Sequence, residues 1–260
     1  TIKHIYITRV GKMKVVVPSL GLQRAIADVL KALDDKIAVN RRIGEIVDRL
    51  LAVVFDSASV DAKPETLRTI ADVNRAVVKP NLGGFLRYLD IASVAAGAYE
   101  FPPVLDWGSA PGRARRAVRA GDTVWSTVRP GRRSHALILD DDPTLVASTG
   151  LAVLSPHEGR VAGLYESSRR SEFLQYLEAV AEGSAYPAVN ASRFANAPVP
   201  GLSDEAWDQF ESTALPLRRR AHAATVENRG LEAARDELLP LLVSGKLTVK
   251  AAESFVEGVV

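Results

Sequence analysis

Apolar residues at Leu22, Ile26, Val29, Leu33, Ile37, Ile43, Val47, Leu50 and Val54 recur by threes and fours, with one polar slot near Asn40. So narrow a stripe predicts a coiled-coil seam, and a seam needs a partner. At about 1.5 Å per residue this helix is roughly 50 Å long, more than a domain of this size needs for its own core. Pro18 suits the approach to a helix start, and "DSASVDAKPE" closes it with small, polar and proline residues. From Leu67 to about Pro198 the texture changes to strand-length apolar runs, "FLRYLDI", "DTVWSTV", "HALILD" and "GLAVLSP", separated by Gly, Pro and Asp turns. One helix is expected inside this region at 168–183, where Phe173, Leu174, Leu177 and Val180 share a face. A second long helical stretch follows. Ser203 caps it ahead of Asp204 and Glu205, and Phe210, Leu217, Ala221, Ala224, Leu231, Ala234, Leu238 and Leu241 carry its apolar stripe. Pro216 and Pro240 are expected to bend or divide it, and Gly245 to stop it.

The two helical stretches are weakly repeated. Val17-Pro18 and Val199-Pro200 are 182 residues apart, whereas "NRRIGEIVDRLLAVVFDS" and "NRGLEAARDELLPLLVSG" are 188 apart, so the second copy carries six extra residues. Asn40/Asn228, Arg41/Arg229, Asp48/Asp236, Leu50/Leu238 and Leu51/Leu239 coincide. The layout is helix, globular domain, helix. An antiparallel pairing is expected through Leu22, Ile26, Val29, Leu33, Ile37, Ile43, Val47 and Leu50 on one side, and Phe210, Leu217, Leu231 and Leu238 on the other.

Composition narrows the function classes. A chain of 260 residues with 47% hydrophobic content can bury a core, and no apolar run is long enough to span a membrane, so the cytoplasm is the default expectation. There are no cysteines, and His4, His135, His157 and His222 lack ligand spacing, so no metal site is expected. Net charge is only +2, but residues 109–133 hold Arg113, Arg115, Arg116, Arg119, Arg129, Arg132 and Arg133 against one acid, Asp122. Catalytic patterns are missing: "DDDPTL" has only one proline of an amino-methyltransferase motif, Asp140–Asp142 lacks a following Glu-x-Lys, and no nucleophile elbow occurs. No active site is read from the sequence.

With its motifs in order, the chain resembles the specificity (S) subunit of type I restriction-modification systems. The resemblance is carried by "VVVPSLGLQRAIADVLKALDDKIAVN" (Gln23, Ile26, Leu30, Asp34, Ile37), "AGDTVWSTVRPG", "VASTGLAVLSP" and "RDELLPLLVSGKLTV", and it covers essentially the whole chain. It implies an α/β (α+β) fold, a β-rich target recognition domain flanked by two long helices in an antiparallel coiled coil. The expected domains are a conserved helical region at 18–57, a target recognition domain at 67–199, a second helical region at 200–246 and a C-terminal tail at 247–260. "TIKHIYITRVGKMKVVVP" has strand-like alternation and resembles the segment before the second helix, so 1–17 is expected to be the tail of a preceding recognition domain. The chain then reads as the C-terminal half of a longer subunit, or as a half-subunit that forms a homodimer.

The implied partners are double-stranded DNA, methyltransferase (modification) subunits that carry AdoMet, and a restriction (motor) subunit, with no cofactor on this chain. Arg or Lys suits guanine, Asn or Gln suits adenine, and hydroxyls and cations hold phosphates. On that basis the candidate DNA contacts are Arg113, Arg115, Arg116, Thr127, Arg129, Arg132, Arg133, Ser134, Ser148 and Thr149. A second loop adds Tyr186, Asn190, Ser192 and Arg193, and a turn adds Lys79 and Asn81. The opposing reading of the arginine turn is a solvated loop paired with Asp140, Asp141 and Asp142. Trp107, Trp125 and His135 read as core or strand residues. A different class remains open: a coiled-coil scaffold whose globular domain binds protein and no DNA.

Overall fold

The computed structural model describes residues 17–183 and 186–258. The run at 1–16, most of the expected tail of a preceding domain, lies outside the described residues. The fold mixes helix and sheet. Its helices are α1 (Leu20–Ala58), α2 (Val161–Arg169), α3 (Ser171–Val180), α4 (Ala191–Ala195), α5 (Asp204–Val243) and α6 (Val249–Glu257). The strands are β1 (Lys63–Thr66), β2 (Ala71–Val73), β3 (Phe85–Leu89), β4 (Val94–Ala95), β5 (Ala98–Tyr99), β6 (Val104–Asp106), β7 (Ala114–Ala117), β8 (Thr123–Ser126), β9 (His135–Leu137), β10 (Leu145–Ser148), β11 (Leu151–Pro156) and β12 (Pro198–Gly201). The chain divides into two compact units, one running through Glu45 and resuming at Ala223, the other Ile46–His222.

In the first unit, Ser19 begins α1 by accepting from the Leu22 N–H at 3.4 Å, and the Gln23 amide donates to the Pro18 carbonyl at 2.7 Å. Ile26, Val29, Leu33 and Ile37 share one core with Leu231, Leu238 and Leu242 of α5. The helices run antiparallel, with Asp34 against Arg235 at 3.0 Å and Asn40 against Asn228. Asn40 and Asn228 are buried, and the Asn40 amide donates to Asn228 Oδ1 at 3.0 Å and to Glu227 Oε2 at 2.7 Å. One pair that coincides in the internal repeat, Asn40 and Asn228, therefore touches across the seam.

Residues 249–257, within the expected C-terminal tail, form a helix. Thr248 caps it by accepting from the Ala251 N–H at 3.3 Å, and Ala252 and Val256, four residues apart, enter the same core. Gly245 ends α5 with φ 71°, a conformation that glycine adopts without steric cost. Neither Pro216 nor Pro240 divides α5. Each forfeits one backbone donor, but buried residues on both sides, Ala214 and Arg218 at the first and Leu238 and Leu242 at the second, keep the helix.

The second unit holds the sheets. An antiparallel sheet of order β2-β11-β8-β9 faces a mixed sheet of order β6-β3-β10-β7 in which only β3 and β10 are parallel. Leu89, Val94, Val118, Val124, Ala136, Ile138, Leu145, Ala147, Leu151 and Val153 fill the core. Because neighbouring strand residues point to opposite faces, Val124 lies in that core while Trp125 turns toward Phe173 of α3, ring to ring at 5.7 Å. β1 pairs with β12 where the chain leaves α1 and approaches α5.

The helix ends in this unit pack through aromatic rings, with Phe55 at 4.9 Å from Phe210 and 6.0 Å from Trp207. Val47 and Phe210 are buried as expected for the helix seam, Ile43 and Leu217 are half-buried, and Leu22, Leu50 and Val54 are exposed. Leu51 and Phe55 take the buried positions instead. The seam steps by four from Val47 to Leu51 to Phe55, which advances it one residue past a three-four repeat.

The expected helix at 168–183 is observed as α3, and a helix that was not expected, α2, precedes it and is nearly all buried. Its Glu166 pairs with Arg218, which also binds Asp48, and Arg169 reaches Asp48 at 3.0 Å and Glu166 at 3.5 Å. Both guanidinium groups lie over the Tyr165 ring, at 5.0 and 4.7 Å. Burial raises the Glu166 carboxyl pKa against the pull of Arg218 and Arg169. Burial also opposes ionisation of Asp48, but the same two arginines outweigh it and hold that carboxyl below the usual range. Glu211 completes the arrangement by accepting from the Gly163 N–H at 2.8 Å at the start of α2.

Candidate nucleic-acid interface

The turn between β8 and β9 is built around a buried Pro130 that starts a single 3-10 turn. On either side Arg129 and Arg133 take left-handed backbone, φ 53° and 55°, which costs a non-glycine residue about 1 kcal/mol or more. The Arg132 N–H donates to the Arg129 carbonyl at 2.9 Å, the Arg133 N–H to Pro130 at 2.8 Å, and the Ser126 N–H to the Ser134 carbonyl at 2.8 Å, closing the hairpin. The segment after α3 is laid against this turn. The Arg129 N–H donates to the Pro187 carbonyl at 2.7 Å, the Val189 N–H to Thr127 at 2.8 Å, and Val128 bridges to Ala188. The Arg129 guanidinium rests 4.6 Å over the ring of Tyr186, which is 69% exposed. An open cavity of about 370 Å³ adjoins them, lined by Arg129, Arg132, Glu178 and Pro187.

This group is joined to the second set of candidates through the β10–β11 turn. The Thr127 N–H and hydroxyl both donate to the Gly150 carbonyl, each at 2.9 Å, and the Thr149 N–H donates to the Arg113 carbonyl at 2.9 Å. The Val78 N–H donates to the Arg115 carbonyl at 2.8 Å and Val77 bridges to Arg116, which carries the turn bearing exposed Lys79 and Asn81. Lys79, Asn81, Arg113, Arg115, Arg116, Thr149, Thr127, Arg129, Arg132, Arg133, Ser134 and Tyr186 thus lie on segments joined by backbone or side-chain contacts.

The remaining candidates are already engaged. Ser148 is fully buried and its hydroxyl accepts from the Gly150 N–H at 3.2 Å, so it is inaccessible to a ligand. Asn190 spends its side-chain oxygen capping α4 through the Arg193 N–H, Ser192 is exposed on α4, and Arg193 lies 3.7 Å from Glu182. Arg115 donates to the Ala114 carbonyl at 2.7 Å, and Arg116 buries its Nε. Among the described residues, Arg113, Arg129, Arg132 and Arg133 make no salt bridge. Asp142 pairs instead with Arg87 at 2.9 Å, and Asp140 bonds Tyr99 and lies 3.6 Å from His222.

His135 is buried, stacked on Trp125 at 4.7 Å, and donates from Nδ1 to the Arg133 carbonyl at 2.6 Å. Burial drives its pKa down to about 4, so it is neutral near pH 7 and is no cation for phosphate. Glu178 escaped the sequence reading. A Cβ on Gly131 would meet its carboxylate at 2.6 Å, which sets an acid against the arginine turn, and helical position alone does not reveal that.

Among the described residues no cluster of metal-binding side chains occurs, and no helix is long and apolar enough to cross a membrane. No protein-family model and no curated protein matches the chain. Solved structures do. The Type-I restriction-modification system S subunit from M. genitalium matches at 16% identity over 86% of this chain and 61% of that one, with TM-score 0.55. The HsdS subunit from Thermoanaerobacter tengcongensis matches at 25% identity over 68% of this chain and 46% of that one, with TM-score 0.49. A structure described as the basis of complex assembly and conformational transition of the type I R-M system matches at 25% identity over 68% and 47%, also with TM-score 0.49. The chain shares the fold of the M. genitalium subunit, and it spans between 46% and 61% of the length of these solved chains.

Proposed function

We propose that the chain is the DNA-sequence specificity subunit, or half of one, of a type I restriction-modification complex, with no chemistry of its own. Loops of the domain at 67–199 read one half-site of duplex DNA. The helical regions dock methyltransferase subunits, which carry AdoMet, and a restriction (motor) subunit. The observation that carries this reading is a set of arginines without acidic partners, Arg113, Arg129, Arg132 and Arg133, on mutually braced loops of a chain with the S-subunit fold. In a solvated loop such cations would be expected to find the nearby acids. Here Asp142 is held by Arg87, and Asp140 by Tyr99 with His222 3.6 Å away.

The test is a pull-down with the methyltransferase encoded beside the gene, followed by mapping of methylated adenines with and without it. Loss of methylation at one defined motif on deletion supports the proposal, and the symmetry of that motif distinguishes a dimerising half-subunit from one half of a bipartite reader. An unchanged map, together with no methyltransferase bound, favours the protein-binding scaffold. Duplex binding by the purified complex is expected to weaken steeply with salt as arginines release phosphate counterions.

A further inference from the structure

Resting on the DNA-reading proposal above, we infer that Arg129, held on the face of Tyr186, reads a guanine in the half-site, and that Tyr186 is its positioning residue. A base reader needs uncommitted donors on a side chain that is already ordered. Arg115 donates to the Ala114 carbonyl, Arg133 donates to the Arg169 carbonyl at 3.3 Å, Arg193 faces Glu182, and Arg116 buries its Nε. Arg113 and Arg132 are exposed and have neither an ion pair nor a ring contact among the described residues, which suits phosphate contact.

Arg129 differs from all of these. Its backbone is fixed by the left-handed turn and the bond to Pro187, it is half-buried, and its guanidinium carbon lies over Tyr186 at 4.6 Å from the ring centroid. A guanidinium that stacks on a ring presents its face to the ring and keeps its edge, where the N–H donors lie, for a ligand. That edge is a pure donor fork. Guanine offers two acceptors, O6 and N7, in the major groove, whereas adenine offers one acceptor and one donor. Because the side chain is ordered before binding, less freedom is lost on contact.

The experiment maps adenine methylation in strains whose only copy of the gene carries Arg129→Ala, Arg129→Lys, Tyr186→Ala or Tyr186→Phe. The wild-type motif is expected to contain a guanine whose requirement relaxes about 10- to 100-fold in Arg129→Ala, with Lys also losing discrimination. The same position relaxes about 2- to 5-fold in Tyr186→Ala and is unchanged in Tyr186→Phe, which keeps the ring. Tyr186 is exposed, so its replacement leaves the core intact even if an Arg129 variant folds poorly. A motif with every base equally required in Arg129→Ala and Tyr186→Ala overturns the assignment while leaving the DNA-reading proposal standing. So does uniform loss of methylation at all sites in protein that melts like wild type. A wild-type map that does not depend on the gene overturns both.

Discussion

The two long helices pass through two different interiors. In the unit that holds residues 20–45 and 223–258, their seam is aliphatic, and its only buried polar side chains among the described residues are Asn40 and Asn228, a neutral pair that bonds to itself. In the unit that holds 46–222, the same helices meet through Phe55, Trp207 and Phe210 and through a buried charge network of Asp48, Glu166, Arg169 and Arg218. A neutral amide pair is buried at a modest cost, with Asn40 Oδ1 left without a partner, and fixes which residues face each other. A charge network is costly to bury and tolerates no missing member. The first serves to align two helices, the second to tie helices to a folded domain.

The largest expected effect breaks the second interior. Arg218→Ala leaves Glu166 and Asp48 with Arg169 as their one remaining shared cation, and a urea melt should show a loss of about 3–5 kcal/mol. A loss below 1 kcal/mol would mean that water or Arg169 replaces it.

Acid should act on the domain and spare the amide pair. His135 titrates at about 4 when folded, against 6.5 for the free side chain, because its cation is disfavoured by burial. Between those values the unfolded chain binds the extra proton, so stability falls as pH drops from 6.5 to about 4, by about 3 kcal/mol over the full range. His135→Phe, which keeps a ring on Trp125, should remove most of that slope in denaturant titrations at pH 7 and pH 4.5.

Asn40→Leu should cost about 1–3 kcal/mol by leaving the Asn228 side chain short of a partner, whereas adding Asn228→Leu should recover most of it. A double-mutant cycle with no coupling would show that the amides act independently. At the small end, Arg41→Ala removes an exposed pair to Glu232 at 2.7 Å and should change stability by about 0.5 kcal/mol or less.

The periodicity of residues 26–37 and the repeat that matches Asn40 with Asn228 were both legible in the sequence, because helix period and copy offset are local or arithmetic properties. The slot at Asn40 looked like a gap in the seam. It is in fact part of the seam, since an amide that finds its own counterpart can be buried. Beyond Val47 the phase was misread, with Leu50 and Val54 chosen over Leu51 and Phe55, because the partner changes there from one helix to a domain. Helix α2 was hidden for a related reason. "VAGLYESSR" looks too polar to be buried, and Arg218, more than fifty residues later, joins Arg169 in making Glu166 acceptable inside.

The arginine run itself was plain. Which of its members lie bare, and that Ser148 is buried, depends on strand pairing that no local pattern specifies.

Under the proposed DNA-reading role, the left-handed backbone at Arg129 narrows the routes by which the chain could acquire a new target. Most side chains placed there would strain the turn, and glycine would relax it but read nothing. Asparagine enters that conformation more readily than most residues and carries the acceptor and donor that match adenine. If Arg129 reads a guanine, an exchange to asparagine at position 129 would offer the pair of groups that matches adenine, but on a shorter side chain, so the loop would also have to approach the base more closely.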